Sequence, residues 1–353
     1  MYSNKLKLLI PYIKYRLFLL GLKKQNLKQK DVVLFFMHPE YNIRSGGILS
    51  IYFLIDETKK YLKETIVLPV TLYKIPKYTK ANWFENDFDI YNIYYLEKEL
   101  MEAKNVLIHI PECFYTYFCT FINHYKLYEL AKKMKVNILN QNDLIMPTEA
   151  EVWNSKNLFH SLTMTLAFEA NVSKEYSYLD SKPYFISTWF YNYTIDTIAY
   201  ERKENKCIVS LDSHPFKTEI INLLEQECGL ECIEIKNMHF FDFQKLQQKA
   251  KWSITFGEGF DNYFAGAFIK SGIGFSVYNS TFFPPSFDKE YLPETVFDSY
   301  ELMRDNIVKV LKRLDNKLDY ENYVAKVKPI VLEHSSPGKV IEALNHYYNN
   351  ELN

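Results

Sequence analysis

The segment Phe256 to Phe275 reads FGEGFDNYFAGAFIKSGIGF and holds five of the chain's ten glycines. Glycine is used where the backbone must take a positive φ or come close to another group. Here Glu258 stands between Gly257 and Gly259, just after an apolar run and just before a helical stretch. Free N–H groups at a helix start carry partial positive charge and suit an anion such as phosphate. The glycines let a ligand approach the backbone, and a carboxylate beside them accepts hydrogen bonds from sugar hydroxyls. An isolated G-E-G also suits a plain turn with a solvated Glu258. The second cluster, Ser271-Gly272-Ile273-Gly274, leads into a strand and makes the combination more specific. The ligand-side candidates are Gly257, Glu258, Gly259, Phe260, Asp261 and Asn262, together with Ser210 and His214 in SLDSHP.

A second glycine pair closes the loop HPEYNIRSGG, which offers His38, Glu40, Arg44, Ser45, Gly46 and Gly47 toward an acceptor or a phosphate. His109 in LIHIPE falls at a strand end, where an imidazole can position an acceptor or act as a base. A lone strand-end histidine also reads as structural, and His214 has the same two readings. Asp87-Phe88-Asp89 forms a DxD, read as surface acid rather than as a metal site. The aromatic run Tyr184 to Tyr193 reads as core and inter-domain hinge.

These residues need a scaffold, and 353 residues suit two domains. Apolar residues make up 48% of the chain, enough for two cores. The formal net charge of −1 gives no global field for nucleic acid. Five cysteines without a CxxC pair suit free thiols in a reducing cytoplasm and no zinc site. Lys5 to Lys30 carries eight Lys or Arg before the first acid, with Leu6, Ile10, Ile13, Leu17 and Leu20 at helical spacing. Its apolar runs are far short of the ~20 residues that span a bilayer. Two readings fit it: a basic amphipathic helix on an anionic membrane surface, or a helix packed on its own domain.

From Asp31 onward, apolar β-rich runs alternate with helical ones. Strands are predicted at Asp31 to Met37, Thr65 to Thr71, Asp89 to Tyr95, Lys104 to Ile110 and Val136 to Leu139, with a helix over Ile48 to Leu62. In the second half, strands at Lys206 to Leu211, Leu230 to Ile235, Trp252 to Phe256 and Ile273 to Tyr278 alternate with helices. Those helices are Phe216 to Glu227, Phe241 to Lys251, Asn262 to Lys270 and Tyr300 to Leu314. Such alternation predicts two doubly wound parallel sheets facing a cleft. The expected domains are 1–185 and 186–335, with a C-terminal helix over 336–353 that packs back on the first. Ligands of open α/β sheets bind beyond the carboxyl ends of the strands, where both glycine-rich loops fall.

The segment EGFDNYFAGAFIKSGIGFSVYN resembles the retaining GT-B glycosyltransferases, whose C-domain carries E-G-F-G-x4-E before a small-residue turn. The loop SGGILSIYFL resembles the same family's N-domain glycine loop. The resemblance implies two Rossmann-like domains, an acceptor domain first and a nucleotide-sugar donor domain second. It assigns Glu258 to the donor sugar and the Gly259–Phe260 backbone to sugar or phosphate. The motif's second Glu, which holds the ribose, falls on Gly266, so Asp261 or Asn262 is left to hold the donor there. A cation near the start of the C-domain neutralises the diphosphate in that family, which points to Lys217, or to Arg202 or Lys206. Neither a metal nor a cofactor is then expected.

The expected activity is transfer of a sugar from a nucleotide sugar to a glycan or lipid-linked acceptor in bacterial surface polysaccharide synthesis, of capsule or O-antigen type. The expected place is the cytoplasm, peripheral to the membrane. Two alternatives stand beside it: a sugar-nucleotide epimerase or hydrolase, and a scaffold that has lost turnover.

Overall fold

The structure, a computed structural model, describes residues 13, 26–37, 46–72, 89–187, 197–287 and 292–352. The chain divides into two compact units. The first comprises Met1–Ala167, Lys174–Ile186 and Ile341–Asn353, and the second Phe168–Ser173 and Ser187–Val340.

The first unit is built on a seven-stranded parallel sheet in the order β3-β2-β1-β4-β5-β6-β7. Its strands are β1 (Asp31–Phe36), β2 (Ile66–Thr71), β3 (Tyr91–Asn92), β4 (Asn105–Pro111), β5 (Met134–Asn140), β6 (Ser161–Leu166) and β7 (Tyr184–Phe185). Parallel strands are covered on both faces and therefore read as continuous apolar runs. In β1, Val32 to Phe36 are all fully buried. The Gly46–Tyr61 helix follows β1, close to the predicted position.

Two strands here, β6 and β7, escaped the sequence reading, and a third is shorter than expected. The expected strand at 89–95 is a two-residue strand followed by a 3₁₀ turn over Ile93–Leu96. β6 reads SLTMTL, too polar for a buried strand by pattern alone. Its threonines face a polar partner: Asn137 Nδ2 donates to Thr165 Oγ1 (3.0 Å), and Thr163 Oγ1 donates to Asn137 Oδ1 (3.2 Å).

The C-terminal helix Pro337–Glu351 closes this polar seam, and its residues from Ile341 belong to the first unit. Tyr347 bonds Thr163 (3.1 Å) and Tyr348 bonds Thr58 (2.8 Å), both tyrosines being buried.

The second unit carries a five-stranded parallel sheet in the order β12-β11-β10-β8-β9. The strands are β8 (Glu204–Val209), β9 (Glu231–Glu234), β10 (Ala250–Ile254), β11 (Ile273–Val277) and β12 (Val296–Phe297). Its core joins Trp252, Phe260, Phe264, Phe268 and Phe283 to the Tyr300–Leu314 and Lys317–Ser335 helices. The helix expected over 262–270 is confined to Ala265–Ile269, because a capped turn occupies the residues before it.

Among the described residues, no helix is long and apolar enough to cross a membrane. The basic segment 5–30, the residues His38, Glu40, Arg44 and Ser45, Asp87 of the DxD, and the aromatic run from 188 to 193 all lie outside the described residues, apart from a few positions of 5–30.

Candidate functional site

The carboxyl edge of the second sheet gathers most of the residues singled out above. After β10 the chain leaves the sheet through Thr255, whose N–H still bonds Phe275 O on β11. Ser210, just beyond β8, accepts the Phe256 N–H through its Oγ at 2.9 Å. The loop from Gly257 to Phe264 then folds over the end of β11.

Asp261 closes that loop. Thr255 Oγ1 donates to Asp261 Oδ2 (2.5 Å), and the N–H groups of Tyr263 and Phe264 donate to Oδ1 (2.8 and 3.1 Å). Burial pushes this carboxyl up to about 6, against the pull of those hydrogen bonds. Asp261 thus holds the turn with its oxygens engaged, where the sequence pointed to a contact with the donor. The Phe260 side chain is likewise core, fully buried against Phe264, Phe283 and Phe287.

The glycines are there for close approach. Gly259 has φ +94°, and a β-carbon on it would lie 2.8 Å from the Val277 carbonyl oxygen. A β-carbon on Gly257 would lie 2.7 Å from Asp212 Oδ2, so the Asp212 carboxylate rests against the backbone beside Glu258. At Gly274 the obstacle is the Phe264 carbonyl oxygen, at 2.6 Å. Glu258 stands between the first two, half-buried.

Beside this loop lies a cavity of about 440 Å³ lined by Gly257, Val277, Tyr278, Asn279, Ser280 and Tyr300. That volume falls in the roughly 300–1,000 Å³ range of small-molecule sites. Of the lining residues, Tyr300 is held in a stack of rings, with His214 at 3.6 Å between centroids and Phe256 parallel to it at 5.8 Å. Burial, with Asp212 and Asp261 nearby, pushes the Tyr300 phenol up to about 12, so its hydroxyl stays a neutral donor. Tyr300 also opens a 15-residue helix, capped by Ser299 Oγ accepting from Leu302 N–H. That helix brings its positive N-terminal end to the cavity.

Lys217 has another role than the one expected. Its ammonium donates to the carbonyls of Ser210 (2.6 Å) and Asp212 (3.0 Å) and pairs with Glu234 at 2.5 Å. It ties β8's end to the helix it begins, and its charge is spent there. Arg202 precedes β8 at the opposite edge, and Lys206 lies within β8, paired with Glu204 and Glu231. Asn262 occupies the turn, its carbonyl accepting from Gln247 Nε2 at 2.7 Å.

In the first unit, His109 is not at an open strand end. It is buried in β4 and stacked on Phe35 at 4.5 Å. Asn137 Nδ2 bonds Nδ1 (2.9 Å) and Tyr348 Oη bonds Nε2 (3.0 Å), so both ring nitrogens are occupied. Burial lowers its pKa to about 3, which keeps it neutral. Its burial and its two bonds suit the structural reading of this histidine, the other of the two readings offered by the sequence.

The residue that does reach the carboxyl edge is Glu112, three positions on in the same motif. It is buried, and its two oxygens accept the N–H groups of Gln141 (3.2 Å) and Asn142 (3.1 Å). Burial raises it to about 7, despite those two bonds. Gly46 and Gly47 start the helix nearby, where a β-carbon on Gly47 would meet Gln141 Oε1 at 2.6 Å.

The sequence missed Asp212, Glu112, Tyr278, Asn279, Ser280 and Tyr300. Glu112 and Asp212 stood inside quoted motifs, and Tyr278 and Asn279 end the quoted segment EGFDNYFAGAFIKSGIGFSVYN; Ser280 and Tyr300 carry no signal beyond following a strand or opening a helix. Among the described residues no group of three or more His, Cys, Asp or Glu side chains is arranged to hold a metal ion.

No protein-family model matches the chain, and no curated protein matches its sequence. Solved structures do match. Anabaena HepE in complex with UDP shares 8% identity over 91% of this chain and 100% of its own, with a TM-score of 0.56. A mutant of S. aureus TarM, in complex with fondaparinux, alpha-GlcNAc-glycerol and UDP, shares 10% over 90% of this chain and 99% of its own, at 0.55. A glycosyltransferase from Rickettsia africae shares 9% over 92% of this chain and 99% of its own, at 0.53. At such identities the likeness is one of fold, and it is the GT-B fold, two parallel-sheet α/β domains.

Proposed function

We propose that the chain is a glycosyltransferase that binds a nucleotide-sugar donor at the carboxyl edge of the second sheet. The observation that carries this reading is the cavity between the GEGFD loop and the Tyr300–Leu314 helix, with Glu258 and Asp212 beside it. Two of the matched proteins of this fold hold UDP, which supports the same class of donor here.

In this reading Glu258 accepts hydrogen bonds from donor-sugar hydroxyls. The loop backbone at Gly257 and Gly259, the polar groups of Asn279 and Ser280, and the helix start at Tyr300 receive the diphosphate. With Lys217 engaged, fixed backbone dipoles in place of a cation or a metal stabilise the departing charge. The first unit receives the acceptor beside Gly46, Gly47 and Glu112. A retaining outcome, a glycan or lipid-linked acceptor of surface polysaccharide type, and attachment of the basic segment 5–30 to the cytoplasmic membrane face complete the proposal.

A specific observation favours a second reading, a scaffold without turnover. At Gly266, where the motif's second carboxylate would hold the ribose, a β-carbon would overlap Asn262 Oδ1. The test is incubation with the nucleotide sugar that binds and a panel of glycan acceptors, with product analysis by mass spectrometry. A new glycoside with stoichiometric nucleoside diphosphate supports transfer. Bound donor that is never consumed supports the scaffold, and an altered sugar on the intact nucleotide indicates an epimerase.

A further inference from the structure

Three of the five cysteines meet in one corner of the second unit's core. Cys207 on β8 and Cys232 on β9 are register partners on neighbouring parallel strands. Their side chains therefore leave the sheet on the same face. Neighbouring strands run about 4.8 Å apart, inside the roughly 4.4–6.8 Å Cα separation that a disulfide spans. Cys207 Sγ donates to the Ile208 carbonyl at 3.8 Å, and Cys228, which ends the Lys217–Cys228 helix, lies within electrostatic reach of both thiols. Cys207 is buried, whereas Cys228 and Cys232 are half-buried. The trio is not arranged to hold a metal ion.

Its position joins it to the candidate site. β9 is the edge strand of the sheet, and Glu234, two residues after Cys232, is the carboxylate paired with Lys217. Lys217 in turn holds the carbonyls of Ser210 and Asp212. A bond between Cys207 and Cys232 fastens the strand that carries this contact.

We propose that Cys207 and Cys232 form a redox-modifiable dithiol, converted to a disulfide by a low-molecular-weight disulfide such as oxidised glutathione. The half-buried Cys232 reacts first. Its thiolate attacks one sulfur of oxidised glutathione, the S–S bond breaks, and one glutathione leaves as a thiolate that takes up a proton. Cys207 then gives up its proton and attacks Cys232 Sγ, releasing the second glutathione. Two protein thiols are oxidised and one glutathione disulfide is reduced to two glutathiones. The neighbouring Cys232 side chain and then burial hold the Cys207 thiol well above its ordinary range, so it reacts only with the sulfur already beside it.

The test is incubation of the full chain with oxidised glutathione, alkylation of the remaining thiols and peptide mapping, with folding checked by circular dichroism. Wild type and Cys228→Ser are expected to yield a reducible disulfide joining the Cys207 and Cys232 peptides. Cys207→Ser is expected to keep a glutathione adduct on Cys232. Should Cys207→Ser fail to fold, wild type and Cys228→Ser decide alone. A Cys228–Cys232 disulfide, a lasting adduct in wild type, or fully alkylated thiols in the folded protein each overturns the proposal.

Discussion

Gly266 faces Asn262 so closely that a β-carbon on Gly266 would overlap Asn262 Oδ1, with Gln247 Nε2 at 2.6 Å. Where the resembled motif carries its second carboxylate, this turn packs Asn262 and Gln247 against a glycine. Writing it back, as Gly266→Glu, is expected to cost about 1–3 kcal/mol by overpacking and to leave nucleotide affinity no higher. Urea denaturation and calorimetric titration check both halves. A variant as stable as wild type that binds nucleotide more tightly would mean that Asn262 and Gln247 give way.

Lys217 supports the site from below. Lys217→Met leaves the Ser210 and Asp212 carbonyls without their donor and is expected to lower stability by roughly 1–3 kcal/mol. Nucleotide affinity, measured well below the melting temperature, is expected to change less than tenfold. Unchanged stability with collapsed affinity would return Lys217 to the diphosphate.

The C-terminal helix is anchored through Tyr348, which bonds both Thr58 and His109. Tyr348→Phe keeps the ring and removes the hydroxyl from two buried partners. The expected cost is about 1–3 kcal/mol, read as a lower urea midpoint. A midpoint equal to wild type would show that the seam does not stabilise the helix.

Glu112 gives a pH signature. Its carboxyl is raised from 4.5 to about 7 by burial, so the fold favours its neutral form. That contribution is fully present below 4.5 and is lost as the pH rises through 7. Wild type should therefore lose stability relative to Glu112→Gln between pH 4.5 and 7, on the order of 3 kcal/mol, and no more above that. Urea midpoints of both proteins at pH 5 and pH 8 measure the difference. Parallel changes in the two proteins would mean that Glu112 is ionised in the fold throughout.

The sequence announced the fold where burial on both faces demands branched and aromatic runs, as in β1 and β10. It was silent at β6, because Thr163 and Thr165 look exposed until Asn137 is placed beside them. The glycine-rich loop was legible since Gly257, Gly259 and Gly274 answer to backbone crowding, which few other residues tolerate. The rest of the cavity was not. Tyr278 to Ser280 and Tyr300 come from separate elements and meet only once the strand order is known. His109 drew attention because its type suggests catalysis, whereas its position inside β4 buries it; Glu112, just past the strand, was not singled out.

The central claim is that the loop around Glu258 is a nucleotide-sugar pocket. Its most direct measurement is the melting temperature of wild type and Glu258→Ala across a panel of nucleoside diphosphates and nucleotide sugars. Ligand that binds only the folded state raises it in proportion to the logarithm of concentration over Kd. The expected result is a clear rise with one nucleotide sugar, reduced in Glu258→Ala, while the parent nucleoside diphosphate shifts both proteins alike. No shift with any nucleotide in the folded wild type would contradict the donor pocket.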